Sequence, residues 1–232
     1  MITALILAAG KGIRFESSGL PKQFSEIDGV PLFIHSVRTY TEISEIDQVI
    51  VVANPDLIEQ TREALQNCEL LHKVTVAIGG NTRQVSVQNA ANLIKDDAME
   101  TRDIVILHNG VSPNTSAEFI RACLDAMDGS DAVQACVPDT RTVFETDGEF
   151  VKQVLPRSSL VYNCDPTIYR GDVFKNIMAA QKDSGMSGDT TSDTARNLGY
   201  RIRLVQSDYK NIKVTNSWDL EAVRAAMDDG PE

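Results

Sequence analysis

The chain has 232 residues, and its 33 acidic and 22 basic side chains give a formal net charge of −11. This negative balance disfavours a nucleic-acid-binding surface, and any anionic substrate must rely on a locally positive pocket. No apolar run approaches the roughly 20 residues of a membrane span, and no basic export signal opens the chain, so we expect a cytoplasmic protein without membrane association. Four cysteines without a Cys-x-x-Cys pair argue against a zinc site and for reduced thiols.

The order of predicted elements indicates an α/β fold. Short apolar runs predict buried strands at 2–7, 48–53, 73–78, 103–108 and 132–137, and a later strand at 201–206. Helices are predicted from Pro31, from 54–56 to about Asn67, after Thr82, after the capping box Thr115-x-x-Glu118, and from Trp218 with an apolar face that closes the core. This alternation predicts right-handed crossovers and a Rossmann-like, doubly wound, mostly parallel sheet within one domain, residues 1–232.

A glycine-rich turn follows the first predicted strand. Residues 7–15 read Leu-Ala-Ala-Gly-Lys-Gly-Ile-Arg-Phe, and residues 21–24 read Pro-Lys-Gln-Phe. Gly10 and Gly12 free the backbone to approach a bulky anion, while Arg14 and Lys22 bring two cations to the same edge. A P-loop would need a Gly-Lys-Ser/Thr ending, and a dinucleotide fingerprint a third glycine where Phe15 stands. Two interpretations of this turn remain: a loop that binds phosphate, or an ordinary glycine-rich turn with surface cations.

Three segments carry a resemblance to a known family. The first turn with Pro21-Lys22-Gln23 resembles the Leu-Ala-Ala-Gly-x-Gly-x-Arg…Pro-Lys-Gln signature of sugar-nucleotide and alditol-phosphate nucleotidyltransferases. Residues 79–87, Gly-Gly-Asn-Thr-Arg-Gln-Val-Ser-Val, resemble the cytosine-holding segment of the 2-C-methyl-D-erythritol 4-phosphate cytidylyltransferase family and its ribitol-5-phosphate relatives; taken alone they also fit a Gly-Gly loop with a capping Thr82. Residues 211–215, Asn-Ile-Lys-Val-Thr, are similar to the family's ending, and Lys213 on a predicted strand would need an anionic ligand or an internal carboxylate.

The resemblance implies a nucleotidyltransferase of the glycosyltransferase-A-like α/β type that transfers CMP from CTP to an alditol phosphate and releases pyrophosphate. It implies that the catalytic residues are Arg14, Lys22 and Lys213. It implies that the nucleotide-binding residues are Ala8, Ala9, Gly10, Gly12, Gly79, Gly80, Arg83 and Ser86. Mg²⁺ is expected to be held mainly by the nucleotide phosphates, with no protein ligand assigned.

An Asp147-Gly148 pair between two strand-like runs, within residues 142–152, predicts a β-hairpin. The resemblance implies that this hairpin belongs to an arm at about 139–160 that joins two subunits of a homodimer. By the match of Pro-Asp-Thr and Pro-Arg-Ser, it also implies that Thr140 and Arg157 reach the partner's substrate phosphate. An exposed arm arginine without a partner is the alternative.

The acceptor side departs from the family's pattern. Residues 108–113 read His-Asn-Gly-Val-Ser-Pro against the family's His-Asp-Ala-x-Arg-Pro, and Asp165 and Thr167 stand where the family has threonine and glutamine. Asn109 therefore removes a carboxylate, Ser112 removes a cation, and Asp165 adds an anion, which together predict weak use of a phosphorylated acceptor. A methylerythritol-phosphate or ribitol-phosphate enzyme, a relative with another acceptor, a weakly catalytic nucleotide-binding homologue and a structural dimeric module remain open.

Overall fold

The computed structural model describes residues 1–10, 21–94, 99–183 and 190–228. Its strands are β1 Ile2–Ala8, β2 Glu26–Ile27, β3 Val30–Pro31, β4 Gln48–Ala53, β5 Thr75–Ile78, β6 Ile104–Asn109, β7 Ala132–Pro138, β8 Phe144–Thr146, β9 Val151–Val154, β10 Val161–Arg170 and β11 Ile202–Gln206. Its α-helices are α1 Leu32–Glu42, α2 Ile58–Asn67, α3 Arg83–Ala91, α4 Ala117–Asp125, α5 Gly171–Asp183, α6 Thr191–Asn197 and α7 Ser217–Asp228.

The central sheet has seven strands in the order β11-β7-β10-β6-β1-β4-β5. β10 is antiparallel to both of its neighbours, and the other six strands share one direction. The expected mostly parallel α/β sheet is therefore confirmed. Parallel strands that are covered on both faces read as continuous apolar runs, as β4 does, and its predicted bounds are the observed ones.

Helices cover both faces of this sheet, as a doubly wound fold requires. Along β1, Ala4 and Ile6 face a buried cluster that includes α1 and α4, whereas Leu5 faces a second buried cluster that includes α3 and α5. A third cluster joins α7 to the start of α1. Val223 of α7 is fully buried in this cluster. Trp218, expected on the apolar face of α7, is instead 83% exposed, because the buried stripe of this helix begins after it.

Two local details differ from the predictions. The N-cap of α4 is Ser116, whose hydroxyl accepts from Phe119 N at 3.1 Å, and not Thr115 of the predicted capping box. Thr115 is buried and donates instead to Asn211 Oδ1 at 3.0 Å. Lys213 was expected on a strand, but it lies in the segment between β11 and α7, outside any strand.

Across the described ranges, no helix is long and apolar enough to cross a bilayer.

The predicted hairpin is present. β8 and β9 pair in a separate two-stranded sheet, and Gly148 adopts a φ of 109° in the connecting turn, a conformation that favours glycine. The hairpin exposes several apolar side chains, among them Phe144, Phe150 and Val154, each more than half accessible. A two-stranded hairpin with this surface is marginal in water by itself, so the arm is suited to a contact.

Candidate functional site

A cavity of about 260 Å³ lies where β1 and β6 end at their carboxyl edge. It is lined by residues 7–10, 22–23 and 80–83, and by Ser86, Asn109, Val111 and Lys213. Ligands in open α/β sheets bind outside the carboxyl ends of the strands, as this cavity does. The structure therefore brings together, in one place, the three sequence segments that carry the resemblance.

The first glycine segment is held in shape by Gln23. This side chain is 2% exposed, and its amide Nε2 donates to Ala8 O at 2.9 Å and to Gly10 O at 2.8 Å. Gln23 thus fixes the curve of the chain as it leaves β1. Sequence reasoning quoted Gln23 as part of a motif without giving it this role. Gly12 and Arg14, two of the predicted site residues, lie outside the described residues.

The second glycine segment packs directly against the first. A Cβ atom on Gly79 would lie 2.4 Å from Ala9 Cβ and 2.9 Å from Ala53 O, so only glycine fits between these loops. Ser86 closes the segment, because its hydroxyl accepts from Gly80 N at 3.0 Å and donates to Thr82 O at 2.9 Å. Ser86 is therefore engaged with the loop backbone, which shapes the wall of the cavity.

Two polar residues of this segment complete that wall. Thr82 caps α3, as the alternative interpretation of this segment had it, since its side chain accepts from Val85 N at 3.2 Å. Arg83, the first residue of the helix, is exposed and lines the cavity. This wall therefore offers the guanidinium of Arg83 to a ligand.

Both predicted catalytic lysines within the described ranges line the cavity. Lys22 Nζ donates to Val214 O at 2.8 Å and so ties the first glycine segment to the segment that carries Lys213. Val214 is fully buried and its N–H donates to Val111 O at 2.8 Å, which anchors that segment beside β6. Lys213 itself is exposed, so the expectation of a buried ammonium was wrong: its neighbour Val214 is buried and Ile212 is half-buried, while the lysine faces solvent.

Three of the departures from the family's acceptor pattern, Asn109, Ser112 and Asp165, contact one another. Asn109 Nδ2 donates to Asp165 Oδ1 at 2.8 Å and to Oδ2 at 3.0 Å, and Asn109 N donates to Oδ1 at 3.2 Å. Ser112 Oγ donates to Asp165 Oδ2 at 2.5 Å. Asp165 is 5% exposed, and of these three residues only Asn109 lines the cavity. Asp165 therefore lies behind Asn109. It does not face an acceptor directly, contrary to the expectation from the sequence.

The buried imidazole of His108 lies beside these residues and contacts the backbone of Ser112. His108 contacts Tyr40 Oη through Nδ1 at 3.1 Å, and its Nε2 contacts Ser36 Oγ at 3.2 Å and Ser112 O at 3.0 Å. Burial lowers the pKa of His108, and the negative charge of Asp165 only partly opposes this. Burial also raises the pKa of Tyr40 well above its usual value. The group is therefore a neutral, hydrogen-bonded support at neutral pH.

The arm residues Thr140 and Arg157 do not line the cavity of their own chain. Both are exposed, and Arg157 Nη2 donates to Thr142 Oγ1 at 3.5 Å near the base of the arm. Another arginine near the acceptor motif, Arg170, is paired with Asp131 at 3.0 Å and with Asp172 at 2.9 Å. Arg170 pairs in register with Ile104, at the opposite end of β6 from the cavity, so it is not available to a ligand there.

Comparison with known proteins agrees with this geometry. The family model of 2-C-methyl-D-erythritol 4-phosphate cytidylyltransferase matches residues 2–229. A 2-C-methyl-D-erythritol 4-phosphate cytidylyltransferase of Thermosipho melanesiensis is 32% identical over 220 residues, covering 95% of both chains. A ribitol-5-phosphate cytidylyltransferase of Vibrio parahaemolyticus is 29% identical over 230 residues, covering 98% of this chain and 96% of its own.

Solved structures show the same fold. A 4-diphosphocytidyl-2C-methyl-D-erythritol synthase from Anaerococcus prevotii superposes with a TM-score of 0.83 at 21% identity, covering 98% of this chain and 96% of its own. A 2-C-methyl-D-erythritol 4-phosphate cytidylyltransferase from Francisella tularensis gives 0.79 at 22% identity, covering 97% and 99%. With a family model matched along almost its whole length, the chain belongs to the 2-C-methyl-D-erythritol 4-phosphate cytidylyltransferase family.

Proposed function

We propose that this protein transfers CMP from CTP to an alditol phosphate and releases pyrophosphate. The observation that carries the proposal is the single cavity in which the first glycine segment, the Gly80–Ser86 wall, Lys22 and Lys213 meet. The curated relatives support the substrate class, since their names specify 2-C-methyl-D-erythritol 4-phosphate and ribitol 5-phosphate as acceptors.

In this reaction an oxygen of the acceptor's phosphate attacks the α-phosphorus of CTP. The bond from that phosphorus to the bridging oxygen breaks, and pyrophosphate leaves with the bonding electrons. Two anions must approach each other, so catalysis consists mainly of positioning and of cationic stabilisation of the developing charge. Lys22 and Lys213 supply positive charge at the cavity, and Arg14 is proposed as a third cation.

We propose that the two substrates occupy different sides of the cavity, and the order of the strands supports this. The Gly79–Ser86 segment follows β5, the Ala8–Gly10 segment follows β1, and Asn109 ends β6 beside β10. We place cytosine against the first of these, as the resemblance implies, and the phosphates over the second, beside which Lys22 also lines the cavity. The acceptor then lies on the Asn109 side.

The donor set of the cavity fits a magnesium ion that is held mainly by the nucleotide. Among the residues that the structure describes, no group of three or more histidine, cysteine or acidic side chains could hold a metal. The side chain of Asn109 supplies a neutral oxygen at the cavity. Mg²⁺ keeps several waters and favours phosphate oxygens, so few protein ligands are needed, and when bound it neutralises phosphate charge.

We further propose that the protein is one catalytic domain that forms a homodimer through the arm at about 139–160. The exposed apolar side chains of the hairpin support this, as does the position of Thr140 and Arg157 outside their own cavity. In the dimer these two residues are proposed to reach the partner's acceptor phosphate, for which an arginine fork is well suited. The proposal keeps the cytoplasm as the expected compartment, because the reaction requires a supply of CTP.

A nucleotide-binding homologue with little catalysis is the second candidate, favoured by the changes at Asn109, Ser112 and Asp165. Pyrophosphate release and thermal stability distinguish the two. CTP with Mg²⁺ should raise the melting temperature more than ATP or GTP, since a ligand at 100 times its Kd stabilises the folded state by about 2.7 kcal/mol. Pyrophosphate release with 2-C-methyl-D-erythritol 4-phosphate or ribitol 5-phosphate supports the enzyme; stabilisation by CTP without release supports the binding homologue, and equal stabilisation by all nucleotides contradicts both.

A further inference from the structure

We infer that Asp165 is a positioning residue that fixes the side-chain amide of Asn109, so that the amide oxygen faces the cavity as a neutral acceptor for a hydroxyl group of the acceptor polyol. This inference rests on the proposed function in its choice of the polyol as ligand. It concerns a pair of residues that departs from the family's own pattern, in which residue 109 is the carboxylate and residue 165 the hydroxyl.

The hydrogen bonds decide the orientation of the amide. Asn109 Nδ2 lies 2.8 and 3.0 Å from the two oxygens of the Asp165 carboxylate. Turning the amide over would place Oδ1 against the same two oxygens, where lone pairs would face lone pairs and no hydrogen would lie between them. Oδ1 is therefore the end of the amide directed away from the carboxylate, on a side chain that lines the cavity.

The charge of Asp165 makes this arrangement rigid. The carboxylate is 5% exposed and forms no salt bridge within the described part of the chain, so neutral donors must compensate for its burial. The donors are the amide and N–H of Asn109 and the hydroxyl of Ser112, itself 1% exposed. Hydrogen bonds to an ionised group are about twice as strong as neutral ones, so the amide is tightly held.

The orientation sets what the cavity offers to a ligand. A fixed carbonyl oxygen accepts a hydrogen bond and donates none, so it favours a hydroxyl over a phosphate oxygen at this point. Since Asn109 lies on the β10 side of the cavity, away from the Gly79–Ser86 segment, we assign the hydroxyl to the acceptor and not to the ribose of CTP. An alditol carries such hydroxyls along its chain, whereas its phosphate must lie nearer the lysines.

The test measures the Kd and KM of the acceptor separately from those of CTP, with 2-C-methyl-D-erythritol 4-phosphate and ribitol 5-phosphate as probes. In Asp165→Asn the shape is kept, but the new amide can meet Asn109 in either orientation. We expect the Kd and KM of the acceptor to rise about tenfold, while the Kd of CTP changes less than twofold. The matched control is Asp103→Asn, another buried carboxylate, which binds the N-terminal amine at the opposite edge of the sheet. It should lower stability and leave acceptor binding unchanged.

A second variant tests the pairing without any turnover. Asn109→Asp places two carboxyl groups about 3 Å apart, which raises the pKa of one of them because both cannot ionise together. A carboxyl whose pKa is raised by folding makes stability fall as pH rises from about 4 through the raised value. The melting temperature of Asn109→Asp should therefore drop between pH 5 and pH 8 relative to wild type. The exchange variant Asn109→Asp/Asp165→Thr, with one carboxylate again, should lose this drop and recover acceptor binding.

The outcomes separate the inference from the proposed function. Normal turnover in wild type with an unchanged acceptor Kd in Asp165→Asn overturns the inference and leaves the function standing. An Asn109→Asp variant without the drop in stability also overturns it, and so does a wild type that binds neither acceptor. The remaining outcome is that the wild type binds the acceptor and the two variants show the expected effects, but the wild type releases no pyrophosphate. This outcome supports the inference while the proposed function fails.

Discussion

Replacing Gly79 by alanine should open the cavity, because this glycine is where the two nucleotide-binding loops touch. The added Cβ would lie 2.4 Å from Ala9 Cβ and 2.9 Å from Ala53 O. Carbon atoms rest at about 3.5–4.0 Å, so the loops must separate by about 1 Å. Neither contact is the end of a flexible side chain, so the strain cannot be relieved by a rotamer change. Overpacking of this kind costs about 1–3 kcal/mol.

The assay combines thermal melting with CTP titration. For a chain of this size about 1 kcal/mol corresponds to about 2–4 °C in melting temperature, so we expect a fall of several degrees. A displacement of about 1 Å at a site that depends on positioning can cost about 10² in rate, so kcat/KM should fall by that order. Gly10→Ala is the control for stability, because its added Cβ would meet no atom of the described residues within 4 Å. An alanine at position 79 that melts and binds CTP like wild type would refute the reasoning.

Three other perturbations follow from the site and the arm. Lys22→Ala and Lys213→Ala should each lower kcat/KM by about 10² without unfolding the protein, as loss of a single electrostatic group does elsewhere; the exposed Lys175→Ala on α5 is the control, and equal rates in all three would contradict the assignment. Replacing residues 142–153 by a short Gly-Ser linker should yield monomers in sedimentation velocity, and a dimeric deletion variant would rule out the arm as the interface. Because burial lowers the pKa of His108, the unfolded chain binds its proton first, so stability should fall as pH drops below about 6.5, and His108→Gln should reduce that slope between pH 7 and 5. An unchanged slope would show that other groups cause it.

Local signals predicted the fold well. The apolar run of β4 and the Asp147-Gly148 turn depend on neighbouring residues only, and each was found as predicted. The cap at Thr82 is equally local and had been one of two interpretations of its segment. β10 was not predicted as a strand, because it begins among exposed residues and runs against its neighbours. Its position between β6 and β7 is set by the packing of the whole sheet, which no local pattern contains.

The site was predicted as a set of segments but not as a set of contacts. Resemblance identified Lys22, Lys213 and the glycines, and the structure brings those within the described ranges to one cavity or its wall. The contact of Asn109 with Asp165 joins residues 56 positions apart, so it could not be found from spacing. The expectation from the sequence was also wrong for the burial of Lys213. Its apolar neighbours suggested a buried strand, but the backbone there is not a strand and the lysine is exposed.

The antiparallel strand β10 links the arm to the acceptor side within a few residues. The base of the arm closes where Asp139 N donates to Leu160 O at 3.2 Å, and β10 starts at the next residue. Its pairing with β7 shifts register between Asn163 and Thr167, and Asp165 lies within that irregularity. A strand rises about 3.3 Å per residue, so roughly 13 Å of backbone separates Val161 from Asp165. The geometry of the arm's base and the position of the carboxylate that holds Asn109 are therefore set by one and the same strand.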